Sequence, residues 1–285
     1  MDGDGPFDRR LRRLRRDRSA ARGPAPDYLR TLFDDELIER LELVSRTFVD
    51  ALVIGCGGTL PEQLRERGIR VTAADPGFAF ARLQGGIQCD EDRLALANGQ
   101  FDLVMAAGTL DSVNDLPGAL TLIRRVLRPD GLFLAAFAGA GSLSRLKQAM
   151  LAADELMQSG VSPRIHPQID VRAAGDLLMR AGFQLPVVDS HGVTIRFASM
   201  CQLVGDLRTA AATNMLRTER RPLTREAHAL AAAAFAAQAD ADGKIGERLE
   251  IIHLSAWSPS PDQPKPAARG SGRQSLTDVL KPRGD

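Results

Sequence analysis

The chain has 285 residues, 44% of them hydrophobic and 26% charged, which is enough for one large globular domain or two small ones. It contains no apolar run of about 18 residues, and its acidic start, MDGDGPFD, is unlike a secretory signal, so we expect a cytoplasmic protein without a membrane span. Three cysteines without CxxC spacing predict neither a disulfide framework nor a zinc site.

The net charge of +1 conceals a strongly basic segment near the N-terminus. Residues 7–22 carry a net charge of +6, which leaves −5 for the rest of the chain, so we expect no nucleic-acid partner for the body of the protein. We interpret residues 1–26 as an arginine-rich arm. One hypothesis is that its arginines, Arg9–Arg22, dock on an acidic protein, an RNA backbone or a membrane surface. The other is that a helix packs Leu11 and Leu14 and leaves the guanidinium groups in water.

Strand and helix patterns alternate between residues 27 and 142. Apolar residues at three- and four-residue spacing predict a helix over 28–44, and the apolar run 48–54 predicts a buried strand that enters the turn Gly55-Cys56-Gly57-Gly58. Further strands are predicted at 68–75, just before Asp90, at 101–107 and at 132–137, with helices between them and a turn at 128–131. This alternation predicts an α/β fold with a doubly wound, Rossmann-like parallel sheet.

The second half of the chain has a different pattern. Residues 143–248 are predicted to form a mainly helical lid or substrate region with two late strands, 185–189 and 193–197, and a helix that Thr224 caps. Within it, residues 143–167 would cover the carboxyl edge of the sheet. Residues 249–257 are predicted to be the last strand of the core, and the proline-rich residues 258–285 an extended, disordered tail.

The glycine turn after the first strand indicates a ligand that approaches the backbone closely. A dinucleotide fingerprint would need a third glycine where Leu60 stands, and a phosphate loop would need a lysine, which is absent before Ser142. The ligand class that remains after these exclusions is a nucleoside without a pyrophosphate. Asp75, at the end of the second strand, is placed to accept hydrogen bonds from ribose hydroxyls. Asp90, after the third strand, is placed to accept a hydrogen bond from an adenine amino group.

Several segments carry a family resemblance. They are ALVIGCGGT (51–59), VTAADP (71–76), CDEDRLAL (89–96), FDLVMAAGTLDSVNDLPGAL (101–120) and LRPDGLFLAAF (127–137). Together they resemble class I S-adenosylmethionine-dependent methyltransferases. Over nearly its full length, including the arginine segment and the tail KPAARGSGRQSLTDVL (265–280), the chain is similar to bacterial relatives of the mitochondrial complex I assembly factor with this fold, an arginine hydroxylase. It is also similar to the biotin-pathway methyltransferase of malonyl carrier protein.

The resemblance implies S-adenosylmethionine as cofactor, methylation of a protein or carrier-bound substrate and a place in complex I assembly, with arginine hydroxylation as a further activity. It also implies roles for individual residues. The cofactor would contact Gly55, Cys56, Gly57, Asp75, Asp90, Glu91 and Gly108. Asp111 and Asn114 are the catalytic candidates, and Arg208 and Asn214 would line the substrate mouth.

Three positions depart from the family pattern on the ligand side of the sheet. Val53 replaces an aspartate, Thr59 replaces a glycine, and Asp111-Ser112 replaces a His-Trp pair. The alternative function is therefore a non-catalytic assembly factor that keeps the fold and has lost the reaction. The four histidines lack metal-ligand spacing, so we predict no metal site and interpret Asp189 and His191 as surface residues.

Overall fold

The computed structural model describes residues 5–23, 27–157, 161–217 and 223–263, in which seven strands form one mixed sheet. They are β1 (Asp50–Ile54), β2 (Arg70–Asp75), β3 (Ile87–Gln88), β4 (Phe101–Ala107), β5 (Leu127–Ala138), β6 (Gln184–Phe197) and β7 (Ile245–Trp257). Their order is β3-β2-β1-β4-β5-β7-β6. Strands β1–β5 are parallel, and β7 runs antiparallel to both β5 and β6. This confirms the predicted doubly wound α/β class.

Helices cover both faces of the sheet. They are α1 (Arg9–Ala20), α2 (Tyr28–Glu42), α3 (Leu60–Glu66), α4 (Phe78–Leu83), α5 (Leu116–Val126), α6 (Ser144–Leu156), α7 (Val171–Arg180), α8 (Met200–Thr209) and α9 (Arg225–Ala236). Two 3₁₀ turns, Glu91–Arg93 and Leu110–Ser112, follow β3 and β4. The core on one face joins the sheet to α2, α3, α6, α8 and α9, and the core on the other joins it to α5 and α7.

The centre of the sheet follows from continuous apolar sequence. Every residue of β4 is buried, as expected of a parallel strand that is covered on both faces. Its one acid, Asp102, accepts hydrogen bonds from the backbone N–H groups of Val49 and Asp50, at 2.9 and 3.0 Å, and so aligns the entry to β1. The N-terminal cap of α9 is also formed by a neighbouring residue: Thr224 Oγ1 accepts a hydrogen bond from Ala227 N at 3.1 Å, as predicted.

The late strands differ from the prediction. Residues 184–197 form one continuous strand rather than two, because the backbone pairs with β7 through the polar positions Ser190 and Gly192, where the apolar pattern lapses. β7 begins at Ile245, four residues before the predicted start. β5 includes the predicted turn at 128–131 as an irregularity, with Asp130 at φ +61° and a shifted register against β4.

The C-terminal segment is described only up to residue 263, where Ser258 N still donates to Gly131 O at 2.8 Å. The remainder of the predicted tail, 264–285, lies outside the described residues. Among the residues described, no helix has the length and apolar composition to cross a membrane.

The core on the α5–α7 face provides a stability test. Phe133 in β5 is fully buried and stacks on Phe183, with 5.4 Å between ring centroids. We expect Phe133→Ala to lower the free energy of unfolding by about 3–5 kcal/mol, because it leaves a cavity between sheet and helix. Urea denaturation measures the change. Leu43→Ala, at a side chain that is 86% exposed, should cost less than about 0.5 kcal/mol. Equal losses would contradict the assignment of the core.

Candidate cofactor and substrate site

The glycine turn after β1 passes directly against β4. Gly55 has φ +83°, and a Cβ at this position would lie 2.4 Å from the carbonyl oxygen of Ala107, so only glycine fits. Cys56, beneath the turn, is buried, and that burial raises the pKa of its thiol to about 12. Cys56 therefore fills space under the turn and is not an activated nucleophile.

Helix α1 lies across the carboxyl ends of the strands and pairs with the acid at the end of β2. Arg16 Nε and Nη2 donate to Asp75 Oδ1 and Oδ2, each at 2.6 Å, and Gly77 N also donates to Oδ1 at 2.7 Å. A Cβ on Gly77 would lie 2.6 Å from Arg16 Cβ, so this glycine allows the helix to approach. Both carboxylate oxygens of Asp75, the residue predicted to bind the ribose, are thus already hydrogen-bonded within the chain.

Arg12, one turn earlier, is held by the 3₁₀ turns after β3 and β4. Its Nη1 and Nη2 donate to Glu91 Oε2 and Oε1 at 2.6 and 2.9 Å, Nη2 also donates to Thr109 O at 2.9 Å, and Nε to Ser112 Oγ at 3.1 Å. Burial disfavours both charges, but the mutual attraction outweighs it: the pKa of Arg12 is raised and the pKa of Glu91 is lowered. The pair is therefore an ionised, bidentate salt bridge in the protein interior.

Two more arginines complete the contact. Arg13 pairs with Asp90, and Arg9 Nη1 donates to Asp92 Oδ1 at 2.5 Å. The four paired arginines lie at positions i, i+3, i+4 and i+7 of the helix and thus on one face. We call Asp75, Asp90, Glu91 and Asp92 the strand-end acids; α1 provides each of them with a counter-charge.

Both hypotheses for the arm need correction. Leu14 is 41% exposed, whereas Arg12 and Arg16 are 3% and 6% exposed, so the arginines rather than the leucines form the packed face. The reason is that the strand-end acids are buried and need partners. In this conformation Arg9, Arg12, Arg13 and Arg16 are therefore not available to dock on another molecule.

Other side chains cover the glycine turn. Asp34 Oδ2 accepts from Thr59 N and Leu60 N at 2.7 and 3.2 Å and so occupies the N-terminus of α3, while its own burial raises its pKa to about 6. Arg30 Nη1 donates to Gly57 O at 3.2 Å, and its guanidinium lies 4.4 Å from the centre of the Phe80 ring. In this conformation Asp75 and Asp34, next to the glycine turn, are thus both engaged by groups of the chain itself.

A cavity of about 480 Å³ adjoins this site, between α1, the end of β4 and the predicted lid. Three of the predicted residues, Asp111, Arg208 and Asn214, lie in its wall, as does Gly108. Burial raises the pKa of Asp111 to about 6. Asn114 has a different position: its Oδ1 accepts from Phe7 N at 2.8 Å, so it fixes the start of α1. The predicted lid contributes Leu143, Leu146, Met150, Arg164, Ile165, His166 and Pro167.

Arginines outnumber acids in the cavity wall, although Arg16, Arg30, Arg164 and Arg248 are paired with acids outside it. Its charged residues are Arg15, Arg16, Arg30, Arg164, Arg208 and Arg248 against Asp111 and Glu247. Glu247 is 2% exposed and accepts from Leu146 N at 2.7 Å, so it caps α6 rather than facing a ligand. Arg208 is exposed and forms no ion pair with the described part of the chain. Its position makes it the cation best placed to meet an incoming group.

A second group of polar residues, which the sequence analysis did not connect, lies between α2 and the β6–β7 pair. His191 Nε2 is 2.9 Å from Glu36 Oε1, and His253 Nε2 is 2.7 Å from Glu36 Oε2. Asp189 is bound by Arg40 at 2.5 and 2.9 Å. Asp189 and His191 thus reach the surface, as interpreted from the sequence, but both also pair with residues of α2, which packs over the strands that carry them.

The contact between α1 and the strand-end acids yields a stability prediction. We expect Arg12→Met to lower the free energy of unfolding by about 3–5 kcal/mol, because it leaves Glu91 buried without a counter-charge. Urea denaturation gives the loss, and faster hydrogen exchange in α1 locates it. The control is Arg10→Met, on the exposed side of α1, with an expected change below about 0.5 kcal/mol. Adding Glu91→Leu to Arg12→Met should recover part of the loss; no recovery would contradict the pairing.

Comparison with known proteins places this geometry in a family. The methyltransferase domain model matches residues 52–135, the glycine turn to β5. The chain is 32% identical to "Arginine-hydroxylase NDUFAF5, mitochondrial" from Danio rerio, over 98% of this chain and 91% of that protein. It is 34% identical to "Malonyl-[acyl-carrier protein] O-methyltransferase" from Xylella fastidiosa, over 60% of this chain and 56% of that protein.

Solved structures agree on the fold. A putative methyltransferase from Bacillus halodurans superposes with a TM-score of 0.54 at 15% identity, covering 79% of this chain and all of that one. S-adenosylmethionine, the cofactor that the sequence analysis predicts, is the methyl donor expected of this fold. The chain therefore belongs to the NDUFAF5 family, and its core is a methyltransferase domain.

Proposed function

We propose that this protein is an S-adenosylmethionine-dependent methyltransferase of a protein- or carrier-bound acid, and that α1 leaves the strand-end acids when the cofactor binds. The observation that carries the proposal is the convergence of Asp75, Asp90 and Glu91 beside the cavity, under a helix held to them by side-chain pairs. Once released from Arg16, Asp75 can accept hydrogen bonds from ribose hydroxyls while Oδ1 keeps its contact with Gly77 N, and Glu91 and Asp90 lie at the adjacent strand end.

The charge of the cavity supports an anionic acceptor. A guanidinium substrate, as in the hydroxylase name of the relatives, would meet the like charge of Arg208, which has no ion pair in the described part of the chain, whereas a carboxylate would meet an opposite charge. The name of the Xylella fastidiosa relative, a methyltransferase of a malonyl carrier protein, agrees with a carboxylate acceptor. An ionised carboxylate needs no general base, so the raised pKa of Asp111 is not an obstacle.

A second candidate is a non-catalytic assembly factor, with complex I assembly as the setting that the resemblance implies. The contacts of Asp34 with Thr59 and Leu60 favour it, because this carboxylate occupies the helix N-terminus that would otherwise attract an anionic end of a ligand. Val53, which stands where the family has an aspartate, is fully buried among apolar residues. Cofactor binding separates the two candidates.

Calorimetry with S-adenosylmethionine and S-adenosylhomocysteine tests the proposal. We expect weak binding to the unmodified chain and at least about tenfold tighter binding to Arg16→Gln, because the variant raises the population with a free Asp75. Arg18→Gln, exposed on the opposite side of α1, should bind as the unmodified chain does. Weaker binding to Arg16→Gln would show instead that Arg16 belongs to the cofactor site.

Gly77→Ala provides an independent variant that keeps both charged residues of the contact, Arg16 and Asp75. Its φ is ordinary, and the added methyl group meets Arg16 Cβ, so the strain falls on the docked position of α1. Gly205→Ala, which adds a methyl group in open space on α8, is the matched control. Tighter cofactor binding is expected for Gly77→Ala alone. No binding to any of these variants, with intact folds by circular dichroism, would favour the non-catalytic candidate.

The acceptor is tested at Arg208. With a malonyl carrier protein as probe and methyl ester formation followed by mass spectrometry, we expect Arg208→Ala to raise KM with little change in kcat. The increase should be about ten- to a hundredfold, because a hydrogen bond to a charged group contributes about 1.5–3 kcal/mol. Arg180→Ala, exposed at the end of α7 and outside the cavity wall, is the control. An unchanged KM in Arg208→Ala would contradict the assignment.

A further inference from the structure

The histidines and the glutamate between α2 and the β6–β7 pair form a compact donor set. Glu36 comes from α2, His191 from β6 and His253 from β7, and one donor atom from each lies within 4.8 Å of the other two. None of the three lies in the wall of the cavity beside α1. The cluster is therefore separate from the proposed cofactor and substrate site.

The strand register brings the two rings together. In the β6–β7 ladder His191 is opposite Ile251 and His253 is opposite Asp189, which makes the histidines diagonal neighbours on one face of the sheet. Their rings stack with 5.4 Å between centroids and 5° between planes. Both rings point toward α2, where Glu36 extends between them and places one carboxylate oxygen near each Nε2.

His253 lacks the hydrogen bonds that a buried imidazole normally forms. It is 1% exposed, and neither Nδ1 nor Nε2 has a hydrogen-bond partner in the described part of the chain. Glu36 Oε2 lies 2.7 Å from Nε2, and it too has no hydrogen-bond partner among the described residues. A buried imidazole nitrogen and a buried carboxylate oxygen, close together and each without a hydrogen-bond partner, are atoms of the types that bind a transition-metal ion.

The charges around the cluster and its access to solvent are compatible with a bound cation. The nearby Arg40 is paired with Asp189 in a bidentate contact, so its charge is compensated. The His191 side chain is 46% exposed, which gives an ion a route from solvent and leaves coordination positions for water.

We propose that Glu36, His191 and His253 form a binding site for one divalent first-row transition-metal ion. Two imidazoles and a carboxylate suit zinc, iron, cobalt or manganese, whereas calcium and magnesium prefer all-oxygen sites. Three protein ligands also leave the coordination shell incomplete, which is typical of sites that bind an exogenous ligand rather than of closed structural sites.

Cobalt(II) is a suitable probe, because its visible absorption reports the ligand set. The full chain, freed of metal by a chelator and exchanged into metal-free buffer, is titrated with Co²⁺ by absorption and by calorimetry, followed by displacement with Zn²⁺. We expect one Co²⁺ per chain with ligand-field bands, and a higher melting temperature with metal bound. No uptake at millimolar Co²⁺ would overturn the proposal.

Two variants and a control test the ligands individually. His191→Ala at a half-exposed ring and the isosteric Glu36→Gln should each weaken Co²⁺ binding by at least about a hundredfold, since even loss of an outer partner costs about 10- to 100-fold. Each should also lose the thermal stabilisation by metal. His228→Ala, exposed on α9, should bind as the unmodified chain does. Equal binding by His191→Ala and the unmodified chain would overturn the site, whatever the result for S-adenosylmethionine.

Discussion

The pairing of α1 arginines with the strand-end acids is the interaction on which the arrangement of this protein depends. Buried carboxylates are costly without counter-charges, and so are buried guanidinium groups. Asp75 and Glu91 are fully buried beneath Arg16 and Arg12, so each partner makes the burial of the other tolerable. Helix α1 is consequently held by charge and directed hydrogen bonds rather than by an apolar stripe, with Leu14 left partly exposed.

This form of attachment connects two parts of the site. Arg16 contacts Asp75 and also lines the cavity, so movement of α1 changes both the access to the proposed cofactor residues and the shape of the substrate space. An ionic contact suits such a movement, because water and ligand hydroxyls can replace its hydrogen bonds, whereas an exposed apolar helix face would have no replacement. The net charge of +6 in the arm and −5 elsewhere is thus largely an intramolecular complementarity.

The β6–β7 pair serves a different purpose from the parallel strands. Its long antiparallel ladder places His191 and His253 on the face under α2. The ends of β2 and β3, in contrast, place the strand-end acids where they contact α1. The cavity lies beside these ends, and its arginines come from α1, α2, α8, β7 and the predicted lid. The fold therefore presents two chemically distinct regions, one rich in paired charges and one with a buried imidazole, His253, whose nitrogens have no hydrogen-bond partner among the described residues.

The sequence by itself determined the sheet, since the apolar runs of β1 and β4 and the turn at Gly55 are local patterns that need no distant partner. It also indicated the acids at the strand ends, because parallel strands bring their carboxyl ends to one edge. Arg208 as a substrate residue came from the family resemblance instead. The spacing of Arg9, Arg12, Arg13 and Arg16 was a readable signal, but nothing local identifies the acids it meets. Only the tertiary structure decided those pairs and the meeting of Glu36 with His191 and His253, because both join residues from elements far apart in the chain through packing and strand register.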